Sequence, residues 1–109
     1  MEYHDVAVTL NTDVINECTI HCRRNGTVAA ISVNGINGSN AINPGEIYTI
    51  ATGLPPCSLG FQDLTVETNA TATSVHKRAW VNNQGALFFV TTESNYTGNI
   101  FIGGTYACQ

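Results

Sequence analysis

Charged side chains are scarce in this chain of 109 residues, of which Asp, Glu, Lys and Arg make up 11%. Soluble domains usually carry about 25%. Only four residues are Lys or Arg, against eight acidic ones, so the formal net charge is −4. The sequence offers no basic stripe for phosphate contacts, and nucleic-acid binding is not expected. Asn, Thr and Ser replace charge, and we expect a partner to cover part of the surface.

Long hydrophobic runs are also missing. No apolar stretch approaches the ~20 residues of a membrane-spanning helix, so membrane insertion is not expected. The N-terminus has neither the basic start nor the apolar core of a secretory signal. The length of 109 residues predicts a single domain, residues 1–109. Because Met1 leads directly into a strand-like segment, we expect this domain to be the C-terminal head of a longer protein.

Motifs for catalysis are lacking as well. The chain has three histidines, no Gly-x-Ser-x-Gly elbow, no His-Glu-x-x-His and no paired carboxylates at a useful spacing. Asp63 and Glu67 alternate along one segment and are typical of solvated strand residues. We therefore expect neither an enzyme nor a cofactor.

Strand signals, in contrast, run along the whole chain. Segments that favour β-structure, such as 5–10, 46–51 and 61–68, are separated by short turns rich in Gly, Asn and Pro. No segment shows the 3.6-residue apolar stripe of a helix. The sequence therefore predicts an all-β fold of about eight strands, an antiparallel β-sandwich of jelly-roll or Greek-key type.

Asn25-Gly26 is the clearest turn signal, because both positions of a two-residue type I′ turn favour these residues. A turn at this point predicts that Cys22 faces Ala29. The same register pairs Ile20 with Ile31 and Cys18 with Val33. These six apolar residues share one face of the predicted hairpin, which we expect to be buried.

The four cysteines raise the question of a metal site or a disulfide. Cys18 and Cys22 are four residues apart, or roughly 13 Å along a strand. That distance is too long for a disulfide or a shared tetrahedral metal ion. We expect two buried thiols here, no metal site, and no disulfide as the default. A bridge between Cys57 and Cys108 is the one pairing left open.

Trp80, the only tryptophan, lies in a segment whose Val75, Ala79 and Val81 alternate on one face. The opposite face carries His76, Arg78 and Trp80. Three interpretations remain open: a subunit interface, in which Trp and Arg are enriched; a platform on which a sugar ring stacks; or a second buried face with Trp80 in the core.

Residues 45–107 resemble the terminal head domains of bacteriophage tail fibres and baseplate receptor-binding proteins. The similarity lies in four segments: residues 45–55, in which Leu54-Pro55 follows Ile50; the Trp80 strand; residues 85–89; and the Gly-x-Ile-x-Ile type strand within 98–106, which ends on an aromatic residue. The resemblance implies a homotrimeric β-sandwich at the tail tip or baseplate of a virion, assembled in the host cytoplasm. It also implies two kinds of partner, host cell-surface saccharide and other virion proteins.

Receptor sites in such heads use Trp, His, Asp and Arg side chains near subunit boundaries. No motif of the family assigns a site residue in this chain. From the geometry of the Trp80 strand, the candidate ligand-binding or interface residues are His76, Arg78 and Trp80, with Asp63 as a fourth. One alternative is a structural virion protein, in the baseplate or as a capsid decoration, whose surface serves assembly only. Another is a carbohydrate-binding or adhesin module.

Overall fold

The computed structural model describes residues 4–11, 17–36, 45–68, 77–92 and 99–109. Within these ranges the chain forms nine strands: β1 (His4–Asp5), β2 (Thr9–Leu10), β3 (Glu17–Asn25), β4 (Val28–Ile36), β5 (Tyr48–Thr52), β6 (Phe61–Thr68), β7 (Lys77–Asn82), β8 (Leu87–Thr91) and β9 (Asn99–Ala107). All pairs between these strands are antiparallel. The predicted all-β antiparallel class is therefore confirmed.

The strands form one curled sheet in the order β1-β3-β4-β9-β6-β7-β8-β5-β2. β6 joins its two halves, because its first half pairs with β7 and its second half with β9. The segment 4–11 contains both edge strands of this sheet, β1 beside β3 and β2 beside β5. Two further backbone hydrogen bonds hold it there: Val6 N donates to Cys22 O at 2.9 Å, and Asn11 N donates to Ile50 O at 2.9 Å. The jelly-roll or Greek-key sandwich stays a prediction, because the strands are joined in a single sheet.

The segment 5–10 was predicted as one strand, and this prediction is wrong. The structure divides it into β1, which pairs with β3, and β2, which pairs with β5. A single strand could not reach both edges of the sheet, so the backbone leaves the ladder at residues 6–8. The prediction for 61–68 matches β6 at both ends.

The predicted register of the β3–β4 hairpin is also wrong, by two residues. Cys22 faces Ile31, Ile20 faces Val33 and Cys18 faces Gly35. The cause is the turn, which lies at Gly26 and Thr27, while Asn25 pairs with Val28. A shift of two residues keeps every side chain on its face, because side chains alternate along a strand with a period of two.

Of the six residues expected on the buried face of the hairpin, four are buried and Ile20 is half-buried. Cys22, Ala29, Ile31 and Val33 are buried, and Cys22 is a free thiol. The side chain of Cys18 lies outside the described residues.

One hydrophobic core lies inside the curl and draws on both halves of the sheet. Its largest fully buried side chains include Phe89 and Leu87 of β8, Ile50 of β5 and Ile100 of β9. Each such side chain contributes roughly 1.5–3 kcal/mol through its removal from water. β8 alternates strictly between this core and the outer face, so that Phe88 and Val90 point outward. None of the described segments is a helix with the length and apolar character needed to cross a bilayer.

Candidate functional site

The outer face of β7 carries two of the predicted site residues. Ala79 and Val81 are fully buried, while Arg78 is exposed and Trp80 is half-buried. The alternation predicted from the sequence therefore holds over Lys77–Asn82. Trp80 does not belong to the set of buried core residues.

Asp63 joins these residues because β6 pairs with β7. In that ladder Asp63 lies directly opposite Trp80. Arg78 Nε donates a hydrogen bond to Asp63 Oδ1 at 2.8 Å. Both side chains are open to solvent, at 45% and 57% exposure. Such exposed pairs stabilise a fold by about 0–1 kcal/mol, so the pair orients the guanidinium more than it holds the domain together.

Two aromatic rings contact the Arg78 guanidinium, and a third ring packs against one of them. The Arg78 guanidinium lies 4.5 Å from the centre of the Trp80 ring and 5.1 Å from that of Phe61. Phe88, on the neighbouring strand β8, lies opposite Trp80. The centres of these two rings are 5.6 Å apart, and their planes are tilted by 31°. The first two distances suit cation–π contacts, and the third suits a tilted aromatic contact. We call Phe61, Asp63, Arg78, Trp80 and Phe88 the aromatic face.

The exposure of these side chains determines which of them a ligand can contact. Arg78 covers part of the indole, which explains why Trp80 is only half-exposed although it points outward. Phe61 is more open, with 54% of its surface accessible. A ligand would therefore contact the Phe61 ring and the Arg78–Asp63 pair first, with Trp80 and Phe88 as the support beneath them.

Sequence reasoning found part of this face. Asp63, Arg78 and Trp80 come together, whereas His76 lies outside the described residues. Phe61 and Phe88 were missed. The signal for Phe61 was its position two residues before Asp63, on the outward phase of an alternating strand. Phe88 lies inside the run from Leu87 to Val90, where four apolar residues hide the alternation.

A second cluster lies in the core, at the C-terminal end of the chain. Cys22, Cys57 and Cys108 are buried free thiols near the ring of Tyr106. The Tyr106 hydroxyl donates to the backbone oxygen of Pro55 at 2.8 Å. Burial, and then the neighbouring thiols, raise the pKa of Tyr106 well above its usual range.

The same environment acts on one of the thiols. Burial raises the pKa of Cys22, and Cys108 adds to the shift, whereas Arg24 opposes it. The Cys22 thiol and the Tyr106 hydroxyl are therefore neutral at ordinary pH. Within the described ranges, no group of three or more His, Cys, Asp or Glu side chains is arranged to hold a metal ion.

No protein-family model matches the chain, and no curated protein or solved structure matches it.

Proposed function

We propose that this domain is a saccharide-binding module that uses the aromatic face, and that it serves as the receptor-binding head of a phage tail fibre or baseplate. The observation that carries the proposal is the exposed Phe61 ring beside the Arg78–Asp63 ion pair. One face of a sugar ring is lined by C–H groups and packs on an aromatic ring. Its hydroxyl groups need donors and acceptors at the edge, which a guanidinium and a carboxylate provide.

Charge favours a neutral saccharide over an acidic one. Asp63 neutralises Arg78 at the face, and the whole chain carries a net charge of −4. An anionic sugar would have to compete with the Asp63 carboxylate for the guanidinium. A neutral sugar can bind to both partners of the existing pair. The phage part of the proposal is supported by the resemblance of residues 45–107.

A glycan array with the native domain, followed by calorimetry on its strongest neutral glycan, tests the proposal. Phe61→Ala should weaken that binding by about tenfold or more, a loss of about 1.4 kcal/mol. Val28→Ala is the matched control, because it also shortens an exposed apolar side chain (41% accessible) but lies on β4. Equal affinities for native protein and Phe61→Ala would contradict the assignment of this face.

Trp80→Ala separates a supporting role from a core role. Because Trp80 is half-buried, we expect the variant to fold and to lose less than the roughly 3–5 kcal/mol of a deep aromatic truncation. Glycan binding should be lost, because Arg78 and Phe88 lose the ring that positions them. Urea denaturation and the same calorimetry measure the two effects. A loss of about 3–5 kcal/mol with normal binding would make Trp80 a core residue.

A structural virion role is the second candidate, and one observation favours it. Leu59, at 63% exposure, lies two residues before Phe61. Two exposed large apolar residues, with Arg78 packed on the ring of Phe61, also suit a subunit interface. Under this alternative, Phe61→Ala would change the mass of the assembly and no glycan would bind.

A further inference from the structure

A depression of about 570 Å³ lies on the outer face of β4, β9 and β6, apart from the rings of the aromatic face. At its centre Gly103 stands in register between Ser32 of β4 and Thr65 of β6. Because glycine has no side chain, a gap lies at Gly103 between the exposed side chains of Ser32 and Thr65. The volume is within the roughly 300–1,000 Å³ of small-ligand sites.

The next row of the same three strands places a ring at one end of the depression. Phe101 is half-buried and stands between Asn34 and Glu67. Lys77 Nζ lies 3.8 Å from Glu67 Oε2, so this carboxylate has a cation beside it. We call Ser32, Asn34, Thr65, Glu67, Phe101 and Gly103 the β9 groove.

The chemistry of the β9 groove suits a saccharide. Ser32 and Thr65 offer hydroxyls, Asn34 both a donor and an acceptor, and Glu67 an acceptor. Phe101 adds an apolar surface, so the groove combines an aromatic ring with several polar groups, as ligand sites do. Glu67 is paired with Lys77, which again favours a neutral ligand over an acidic or basic one.

β6 connects the groove with the aromatic face. Its outward side chains are Phe61, Asp63, Thr65 and Glu67, in unbroken alternation. The first two belong to the aromatic face and the last two to the β9 groove. At ~3.3 Å per residue, the line from Phe61 to Glu67 is about 20 Å long, which is several sugar units.

We propose that the β9 groove binds further units of the glycan that the aromatic face holds, so that the ligand is a neutral oligosaccharide chain lying along β6. This inference rests on the proposed function and adds chain length to it. A ligand that touched only the aromatic face would gain nothing from additional sugar units.

Gly103 provides the test, because a side chain can be added there without backbone strain. A Cβ atom on Gly103 would meet only the backbone oxygen of Ile31, at 3.7 Å, an ordinary contact. Gly103→Val therefore fills the groove, and Gly103→Ala is the smaller change if the valine variant melts early. Ala107→Val is the matched control, since Ala107 is exposed on the same face of β9 but outside the groove.

The experiment titrates native protein and variants with mono-, di-, tetra- and hexasaccharides of glucose, mannose and galactose. For the sugar type that binds, the native affinity should rise with chain length. Gly103→Val should weaken hexasaccharide binding about tenfold, equivalent to about 1.4 kcal/mol, and leave the disaccharide unchanged. Ala107→Val should match the native protein at every length.

Other outcomes overturn the inference in distinguishable ways. If Gly103→Val and Gly103→Ala bind the hexasaccharide as the native protein does, while Phe61→Ala does not, the groove is not part of the site and the proposed function stands. If Gly103→Val loses binding and Phe61→Ala keeps it, the two surfaces do not share one chain. If the native protein binds no probe at any length, the proposed function and this inference are both wrong.

Discussion

Tyr106 shows how a single buried residue ties the end of the chain to the loop before β6. Its ring is 3% exposed, and its hydroxyl donates to the buried Pro55 carbonyl. Pro55 lacks an N–H and leaves the ladder, so its backbone oxygen needs a partner from elsewhere. The hydroxyl remains protonated, because the folded protein raises its pKa. The residue therefore acts as a neutral donor.

Tyr106→Phe removes that donor and leaves the Pro55 oxygen unsatisfied. We expect a loss of about 1–3 kcal/mol in the free energy of unfolding at neutral pH, measured by urea denaturation. Tyr48→Phe is the control, because the Tyr48 hydroxyl binds Glu46 at the surface. A loss no larger than that of the control would contradict a buried hydrogen bond.

The same pKa shifts predict how stability depends on pH. Tyr106 and Cys22 both have folded pKa values above their unfolded values of 10.0 and 9.0. Their stabilising contribution is therefore complete below about pH 9 and is lost as pH rises towards the folded values, because the unfolded chain ionises first. The free energy of unfolding should fall from about pH 9 upward, and Tyr106→Phe should make the fall shallower above about pH 10.

At the scale of elements, the chain end is held by a short contact outside the nine strands. Cys57 and Cys108 form an isolated antiparallel bridge. Ser58 N donates to Ala107 O at 3.0 Å, and Gln109 N donates to Pro56 O at 2.9 Å. These two bonds flank the cysteines, which makes them a non-hydrogen-bonded pair with Cα atoms about 4.5 Å apart. That spacing lies within the range of disulfides.

Refolding in oxidised glutathione should therefore link Cys57 to Cys108. The two thiols lose two protons and two electrons, and each oxidised glutathione is reduced to two glutathione thiols. Peptide mapping should find this bridge, and it should stabilise the fold by about 2–4 kcal/mol. Cys22→Ala is the control and should form the same bridge. A bridge from Cys22 to Cys108 would contradict the pairing.

At the scale of the whole molecule, several large apolar side chains of the described residues are exposed to solvent. Val28, Ile47, Leu59 and Phe61 are all more than 40% exposed. Leu59 and Phe61 are two residues apart in the chain, and groups of exposed apolar side chains are typical of interaction surfaces. They support the predicted homotrimer, which would cover part of this surface.

Light scattering at micromolar concentration measures the assembly directly. A trimer has about three times the 11.6 kDa mass of the chain. Leu59→Asp should lower the mass to that of the monomer if this residue lies in the interface, since a buried unpaired charge is costly. Thr105→Asp, on an exposed residue of β9, is the control. A monomeric mass for the native protein would overturn the trimer and weaken the phage-head proposal.

The sequence by itself determined the fold class and the faces of the strands. Period-two alternation is local, so Ala79 and Val81 could be assigned to one face, and Arg78 and Trp80 to the other, without knowledge of any partner strand. It is also insensitive to a slip of two residues, and for that reason the hairpin face was right while the register was wrong.

Only the tertiary structure determined which strands pair and which residues those pairings bring into contact. Asp63 meets Arg78 because β6 pairs with β7, and Gly103 lies between Ser32 and Thr65 because β9 pairs with both β4 and β6. The division of 5–10 into two strands has the same origin, because the curled sheet presents two edges to one segment. These contacts join residues far apart in the chain, and their energy depends on packing between strands whose order no local pattern encodes.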